Sequence, residues 1–445
     1  MDSIPAGFFI RMKTSTTYDR CLNTMYGLRR FGIKLGLSTI KTILHGLGDP
    51  QNTYACIHVA GTNGKGSVAS SLATILSRSG YRTGLYTSPH LICFNERIQI
   101  NNQSISNQAV VNAYRAVKRV HQGKREPTFF EFSTAMALHE FGRQNVDWAI
   151  IETGMGGRLD ATNVIRPQLC IITNISLEHR DYLGNTLAQI AREKAGIIKP
   201  RTPVITGIRQ KAALHVVNQI AAKKSAPLYR FGKDFRVRRQ RSTGFSYFGI
   251  DNTWHDLKTG LQGNHQVDNA AIVLAACELL NQKKAKIHID NIQSGMLENQ
   301  WPGRLEFVSS EPTIILDGAH NFMAARRLTK FLSTQYAGRN ITLIAGILDD
   351  KPYQSILKSL LSVCNRAVLT QAKTTRALNP QFLARVAKRI VSDVTIISDV
   401  VSAVQHAMKT ARPEDVICIA GSLYVVGEAK AAFESGLLGP NKNSS

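Results

Sequence analysis

"HVAGTNGKGS", residues 58–67, decides the fold. It ends the apolar, β-branched run "YACIHVA" and leads into "SVASSLATILSRSG", whose apolar residues recur at helical spacing until Gly80. The stretch therefore reads as a strand, a glycine-rich loop and a helix. Successive backbone N–H groups at a helix N-terminus stabilise a polyphosphate. Gly61, Thr62, Asn63, Gly64, Lys65, Gly66 and Ser67 are the expected nucleotide-binding loop, with Lys65 on the β- and γ-phosphates. The usual phosphate loop is G-x-x-x-x-G-K-[ST], where the hydroxyl follows the lysine directly and ligates the nucleotide's Mg²⁺. Here Gly66 separates Lys65 from Ser67. Metal ligands must then come from neighbouring strands.

Outward from the loop, strand-like runs recur at "TGLYTS", "WAIIET", "LCIITNI" and "PVITGI". Helical patterns such as "TAMALHEFGRQ" and "AALHVVNQIAAKK" separate them. This alternation predicts an α/β fold with a mainly parallel sheet covered on both faces. From 228 to 262 short alternating segments predict a small antiparallel addition. The helix "QVDNAAIVLAACELLNQ" and a polar stretch ending in "NQWPGRLEF" follow, and the domain boundary is placed there, giving 1–302 and 303–445. A second alternation then runs through "TIILDGA", "ITLIAGIL", "RAVLTQA", "VTIIS" and "DVICIAG".

A chain of 445 residues, 43% hydrophobic, can bury full cores. No apolar run approaches the ~18–20 residues of a membrane span. "MDSIPAGFFIRMK" lacks the basic start of a signal peptide, so a cytoplasmic location without a membrane partner is expected. "KTSTTYDRCLNTMYGL" after Met12 resembles a family opening, so residues 1–11 are expected to be dispensable. The seven cysteines are scattered and lack a C-x-x-C pair, which excludes a disulfide framework or zinc site as the organising element. The net charge of +24 suits nucleic acid, an anionic surface or an acidic small substrate. The densest basic run, "RFGKDFRVRRQRS" at 230–242, lies between strand-like segments, lacks interleaved aromatics suited to base stacking and reads as a solvated face. No nucleic-acid partner is expected.

Two oxygen donors fall at the carboxyl edge of the sheet, where ligands of open α/β sheets collect. Ser88 follows a strand in "YTSPHLICFNERIQIN", and Glu152 ends one in "WAIIETGMGGRLDATN". A hard cation prefers such donors.

"HVAGTNGKGSVAS", "YTSPHLICFNERI", "TFFEFSTA", "ETGMGGRLDATN", "REKAGIIKP", "QGNHQVDNAAIVLAA", "PGRLEF" and "LDGAHN" occur in an order that resembles the folylpolyglutamate synthases and bifunctional dihydrofolate synthases of the Mur ligase superfamily. The resemblance covers about residues 14 to 430. It implies an N-terminal P-loop ATPase domain, a C-terminal Rossmann-like α/β domain and an active site between them. It implies Mg²⁺ on Ser88, Glu152 and His179, the last in "ISLEHRDYLG", where Glu178 stands in place of the family's usual Asp. Lys194 of "REKAGIIKP" would be carbamylated, although an exposed helix lysine is the plain reading of its surroundings. Asn269, Arg304 and Asp317 match ATP contacts, Arg304 acting on phosphate in cis. His320 and Asn321 would lie near the incoming glutamate, with Phe322 where the family has proline. Thr128, Phe129, Phe130 and Glu131 match the pteroate contacts, while Lys34 replaces an Asp that some members use there.

The implied catalytic residues are Lys65, Lys194 and His320, and the implied partners are ATP, L-glutamate, folates and dihydropteroate, bound by a monomer. The implied chemistry transfers the γ-phosphoryl of ATP to a folate carboxylate, and the glutamate amine displaces phosphate from the acyl phosphate. Two rivals share the loop. A peptidoglycan ligase of the Mur type needs an added N-terminal domain, yet the loop begins at residue 61; a nucleic-acid-binding P-loop ATPase would not explain the ordered motifs.

Overall fold

Short apolar runs bounded by glycine or polar residues form strands because burial on both faces removes the need for alternation. The structure, a computed structural model, describes residues 16–28, 32, 34, 36–121, 125–240 and 244–439. The expected start at Met12 and the dispensable segment 1–11 lie outside these residues. The first sheet contains β1 (Ala55–Ala60), β2 (Thr83–Tyr86), β3 (Ile98–Ile100), β4 (Gln103–Ser104), β5 (Trp148–Glu152), β6 (Leu169–Ile172), β7 (Val204–Thr206) and β8 (Leu228–Arg230). Its order is β4-β3-β2-β5-β1-β6-β7-β8, so β1 lies at the centre. All pairings are parallel except β2 with β3 and β3 with β4.

Residues of β1 alternate between two layers. Ile57 and Val59 face the helices Lys65–Arg78 and Asn264–Gln282, while Cys56 and Ala60 face the opposite cores. Val68, Leu72, Ile75 and Leu76 of the first helix are fully buried, which stabilises the loop-to-helix junction by about 1.5–3 kcal/mol per side chain. The antiparallel edge was not expected; its turn puts Asn101 and Asn102 at φ 49° and 63°, the conformation that a two-residue hairpin turn requires.

The antiparallel addition is real but shorter than expected. It consists of β9 (Arg236–Arg239), β10 (Phe245–Phe248) and β11 (Thr253–Leu257). Glu278 of the helix Asn264–Gln282 pins this sheet by accepting from Tyr247 Oη at 2.7 Å and from the backbone N–H of Ile250 and Asn252 at 2.9 and 2.7 Å. Residues 228–230, expected within the addition, instead form β8 of the parallel sheet. They follow the helix Lys211–Lys223, a crossover that returns the chain parallel to β7.

The second alternation forms β12 (Glu306–Ser310), β13 (Thr313–Leu316), β14 (Ile341–Ala345), β15 (Arg366–Leu369), β16 (Asp393–Ile396) and β17 (Val416–Ala420). The order is β12-β13-β17-β14-β15-β16, parallel except for β12 at the edge. Five of these strands were expected; β12 was not. Helices cover both faces of this sheet. The carboxyl ends of β1, β2, β5, β6 and β13 carry the loops that meet in one cleft.

Candidate active site

The cleft holds a cavity of about 160 Å³ lined by the loop Thr62–Ser67 together with Ser88, Glu152, Glu178, His179, Gln266, Asn269, Arg304, Asp317 and His320. A larger cavity of about 650 Å³ adjoins it and shares Gly66, Ser88, Glu152 and Arg304. Most of the residues expected from sequence therefore converge.

The loop's glycines are required by close neighbours. A Cβ at Gly61, where φ is 146°, would stand 1.9 Å from Thr173 Oγ1. At Gly64, φ 85°, it would stand 2.7 Å from Asn269 Oδ1. Gly66, the residue that offsets lysine from hydroxyl, lies under an indole: a Cβ there would come 2.8 Å from Trp301 Nε1 and 2.9 Å from its Cζ2. Ser67 is buried and its Oγ accepts from Gln266 Nε2 at 3.3 Å. The loop is stitched to the end of β6 by Asn63 N–H to Asn174 Oδ1 at 3.0 Å and Thr173 Oγ1 to Asn63 O at 2.8 Å.

Lys65 Nζ donates to Thr62 O at 3.1 Å and lies 3.8 Å from Glu152 Oε1. The other Glu152 oxygen accepts from the Ser88 backbone N–H at 3.2 Å. Burial pushes this carboxyl above the usual carboxylate range, opposed by Lys65, the Ser88 N–H and Arg304. His179 follows at the rim with φ 47°, a left-handed backbone that is uncommon outside glycine and aims the side chain from a tight turn.

Lys194 is where the plain reading fails. It is 2% exposed, not a surface lysine, and its Nζ donates to Gly61 O and to Glu178 Oε1, both at 2.8 Å. The helix bearing it packs its apolar face on the parallel sheet, and the long side chain turns under the phosphate loop. Burial lowers the amine's pKa, against the attraction of Glu178. Although burial raises it, the Lys194 ammonium beside Glu178 holds that carboxyl well below its usual range.

From the second sheet, Asp317 accepts from Leu305 N–H at 2.9 Å and Ala319 N–H at 3.0 Å, fixing the turns on both sides of Arg304 and His320. His320 Nδ1 lies 2.7 Å from Gly318 O; burial and Arg304 push the imidazole down to about 4. The ring is therefore neutral near pH 7, with the Nδ1 proton on the carbonyl and Nε2 left as acceptor. Asn321 caps the helix Phe322–Gln335 through Ala324 N–H at 2.9 Å and donates to Asn63 Oδ1 at 2.9 Å, bridging the phosphate loop and the second sheet. Phe322 occupies the first helical position, where the backbone N–H has no helical partner, so a residue other than proline keeps the same start.

The four expected pteroate contacts divide. Thr128 and Glu131 form a capping box: Glu131 N–H donates to Thr128 Oγ1 at 3.2 Å and Thr128 N–H donates to Glu131 Oε2 at 2.8 Å. Both are buried and Glu131 also pairs with Arg125; none of the four, Phe129 and Phe130 included, lines either of the two cavities. Phe129 stacks on Tyr26 at 5.6 Å and lies under the Arg97 guanidinium at 5.1 Å. Phe130 covers Gly154, two residues past Glu152, so closely that a Cβ there would fall 2.4 Å from its Cζ. Sequence reasoning missed Trp301 and Gln266. The single signal for the first was a rare residue type beside the boundary, in "NQWPG".

Comparison with known proteins fits this geometry. The Mur ligase middle domain matches residues 59–277, and the Mur ligase, glutamate ligase domain matches 303–423. The chain is 34% identical over 428 residues to the dihydrofolate synthase/folylpolyglutamate synthase of Bacillus subtilis, covering 93% of this chain and 99% of that one. A folylpolyglutamate synthase crystal structure from Thermotoga maritima superposes with TM-score 0.84 at 36% identity, covering 95% of this chain and 98% of that one. Escherichia coli FolC in complex with DHPP and ADP gives TM-score 0.87 at 28% identity, with 94% and 98% covered. The chain belongs to the dihydrofolate synthase/folylpolyglutamate synthase family of the Mur ligases.

Proposed function

We propose that this protein is an ATP-dependent ligase that joins L-glutamate to a folate, and also to dihydropteroate, through an acyl phosphate. One observation carries the reading: Lys65, Ser88, Glu152, Arg304 and His320 converge on a single cleft that Asn63 and Asn321 bridge. The acceptor carboxylate attacks the γ-phosphorus, ADP leaves, and the glutamate amine then attacks the acyl carbon and expels phosphate. Lys65 and Arg304 oppose the charge on the transferring phosphoryl group, and the loop N–H groups orient it. His320 Nε2 takes the proton that the attacking amine loses.

The donors fit Mg²⁺: one Glu152 oxygen meets Lys65 only at 3.8 Å, beyond hydrogen-bond reach, and Ser88 lies beside it. Ser88, Glu152 and His179 would hold the ion, which supplies neutralisation of phosphate charge. Asn269 and Asp317 belong to the ATP site with Gly61 to Ser67. Phe129 and Phe130 are assigned to the pterin end, with Thr128 and Glu131 fixing the helix start beneath them. In the present arrangement a carbamate on Lys194 would set a second anion against Glu178, 2.8 Å from the amine, so the ammonium is the form these partners fit. The ATP-binding domain is taken as 1–302 and the glutamate-ligase domain as 303–445. The enzyme is read as a cytoplasmic monomer; among the described residues no helix is long and apolar enough to cross a membrane.

The test is ADP release with dihydropteroate and with tetrahydrofolate, each with and without L-glutamate. Release that needs both the acceptor and glutamate is expected for both acceptors. Release with neither acceptor would overturn the reading.

A further inference from the structure

The loop 88–93 is the wall that the two cavities share: Ser88 and Pro89 line both, and the next four residues line the larger one. Its two ends are fixed on the first sheet. Ser88 N–H donates to Glu152 at 3.2 Å, and the successive N–H groups of Leu91, Ile92 and Cys93 donate to the Glu96 carboxylate at 2.7, 2.8 and 2.7 Å. A carboxylate that accepts three N–H bonds holds this turn as one body. A push on Leu91 therefore reaches Ser88, three residues away.

The Leu91 side chain leaves the first sheet. It packs on a core of the second, where it and Val426 flank Gly303. Its carbonyl oxygen lies 2.1 Å from where a Cβ on Gly427 would stand. Gly427 is inside the helix Leu423–Glu434 and its φ is outside the left-handed region, so no turn calls for glycine there. Inside a helix glycine is unfavourable relative to alanine, and the close approach of Leu91 is what it permits. One turn earlier on the same helix, Leu423 lines both cavities. Leu423 and Arg304 crowd one glycine, Gly318, where a Cβ would meet them at 2.4 and 2.6 Å. A single turn of helix, about 6 Å long, thus spaces Arg304 from the Ser88 loop.

We infer that Leu91 and Gly427 are positioning residues: through their contact this helix of the second sheet sets where Ser88 stands relative to Glu152 and Arg304. That these three groups act on phosphate rests on the ligase reading. Neither Leu91 nor Gly427 touches the reacting atoms.

The experiment compares the full chain with Gly427→Ala, Leu91→Ala and Leu91→Met. A Cβ cannot stay 2.1 Å from an oxygen, so Gly427→Ala parts helix and loop by roughly an ångström, a misplacement that costs about 10²-fold in rate. The kcat for ADP release should fall to that extent in Gly427→Ala and about tenfold in Leu91→Ala, while Leu91→Met, which refills the seat, stays within about threefold. The Kd for ADP, which lacks the phosphoryl group that Arg304 opposes, should stay within about threefold in all three. Hydrogen exchange on the chain without nucleotide or metal separates positioning from stability. The Ser88 N–H, which loses Glu152 when the loop shifts, should exchange about tenfold faster in Gly427→Ala and Leu91→Ala, while the N–H groups of 91–93, kept by Glu96, and those of the phosphate loop should not. An unimpaired Gly427→Ala, unchanged exchange at Ser88, or equally faster exchange at all these sites would overturn the inference. The expected exchange pattern in a chain that turns over no folate would instead refute the ligase reading and leave the coupling of helix to loop in place.

Discussion

Gly66→Ala tests why the phosphate loop carries an extra residue. Gly66 is the second residue of the helix Lys65–Arg78, and at a helical position alanine is ordinarily favoured over glycine by about 0.5–1 kcal/mol. Here the new methyl would meet three indole atoms of Trp301 at 2.8–3.0 Å, against ordinary contacts of about 3.5–4 Å. Trp301 lines the large cavity and packs on the core behind the loop, so its ring has to move by roughly half an ångström or more. Overpacking of this kind costs about 1–3 kcal/mol. The clash outweighs propensity, and a net loss of about 0.5–2 kcal/mol is expected, a fall of a few degrees in Tm. Because the displaced backbone carries Lys65, kcat falls as well, by about tenfold or more. Calorimetry and ADP release on Gly66→Ala, Trp301→Leu and the double variant measure both effects. The two substitutions should couple by about 1 kcal/mol, alanine costing little once the indole is gone. A Tm that rises in Gly66→Ala, or additive effects in the double variant, would refute the reasoning.

Other expectations can be checked on the same preparation. Lys65→Met should reduce turnover by about 10³-fold or more and also lower Tm, since Glu152 stays buried without its cation; Lys65→Met with Glu152→Gln should regain Tm but not activity. Unchanged Tm in the single variant would show that the pair carries no stability. Burial holds His58 down to about 3, so the folded chain refuses a proton that the unfolded chain binds below about pH 6.5, and stability falls as pH drops through that window. His58→Gln should therefore flatten the decline in Tm between pH 7 and 4 relative to wild type, and parallel curves would exclude this role. Glu178→Asp should withdraw the carboxylate from Lys194, and a ¹³C carbamate signal in ¹³C-bicarbonate should be stronger than in wild type and absent in Lys194→Arg. Equal signals in wild type and Glu178→Asp would show that the ion pair does not restrain the amine.

What the sequence made legible follows the range of the forces involved. Central strands buried on both faces appear as unbroken apolar runs, so β1, β2, β5, β6 and β7 could be found one by one, and the loop glycines announced a backbone that side chains cannot adopt. Thr128 and Glu131, expected from the resemblance as pteroate contacts, instead cap a helix in the structure, a role that their three-residue spacing suits. Contacts between distant residues leave no such trace. Trp301 lies 235 positions beyond the glycine it covers, and nothing near Gly66 says that an indole fills the space above it. Lys194 looked solvated because charges flank it in "REKAG", yet a four-carbon stem can carry an ammonium under a neighbouring loop when a carbonyl and a carboxylate wait there. Glu178 shows the limit from the other side. Its replacement of the family's usual Asp was visible in the sequence, but not its meaning: with Gly61 O holding the amine, a side chain shorter by one methylene, about 1.5 Å, would leave the carboxylate out of hydrogen-bond reach. The choice between a paired ammonium and a free amine at Lys194 is therefore set by one C–C bond in a residue 16 positions away.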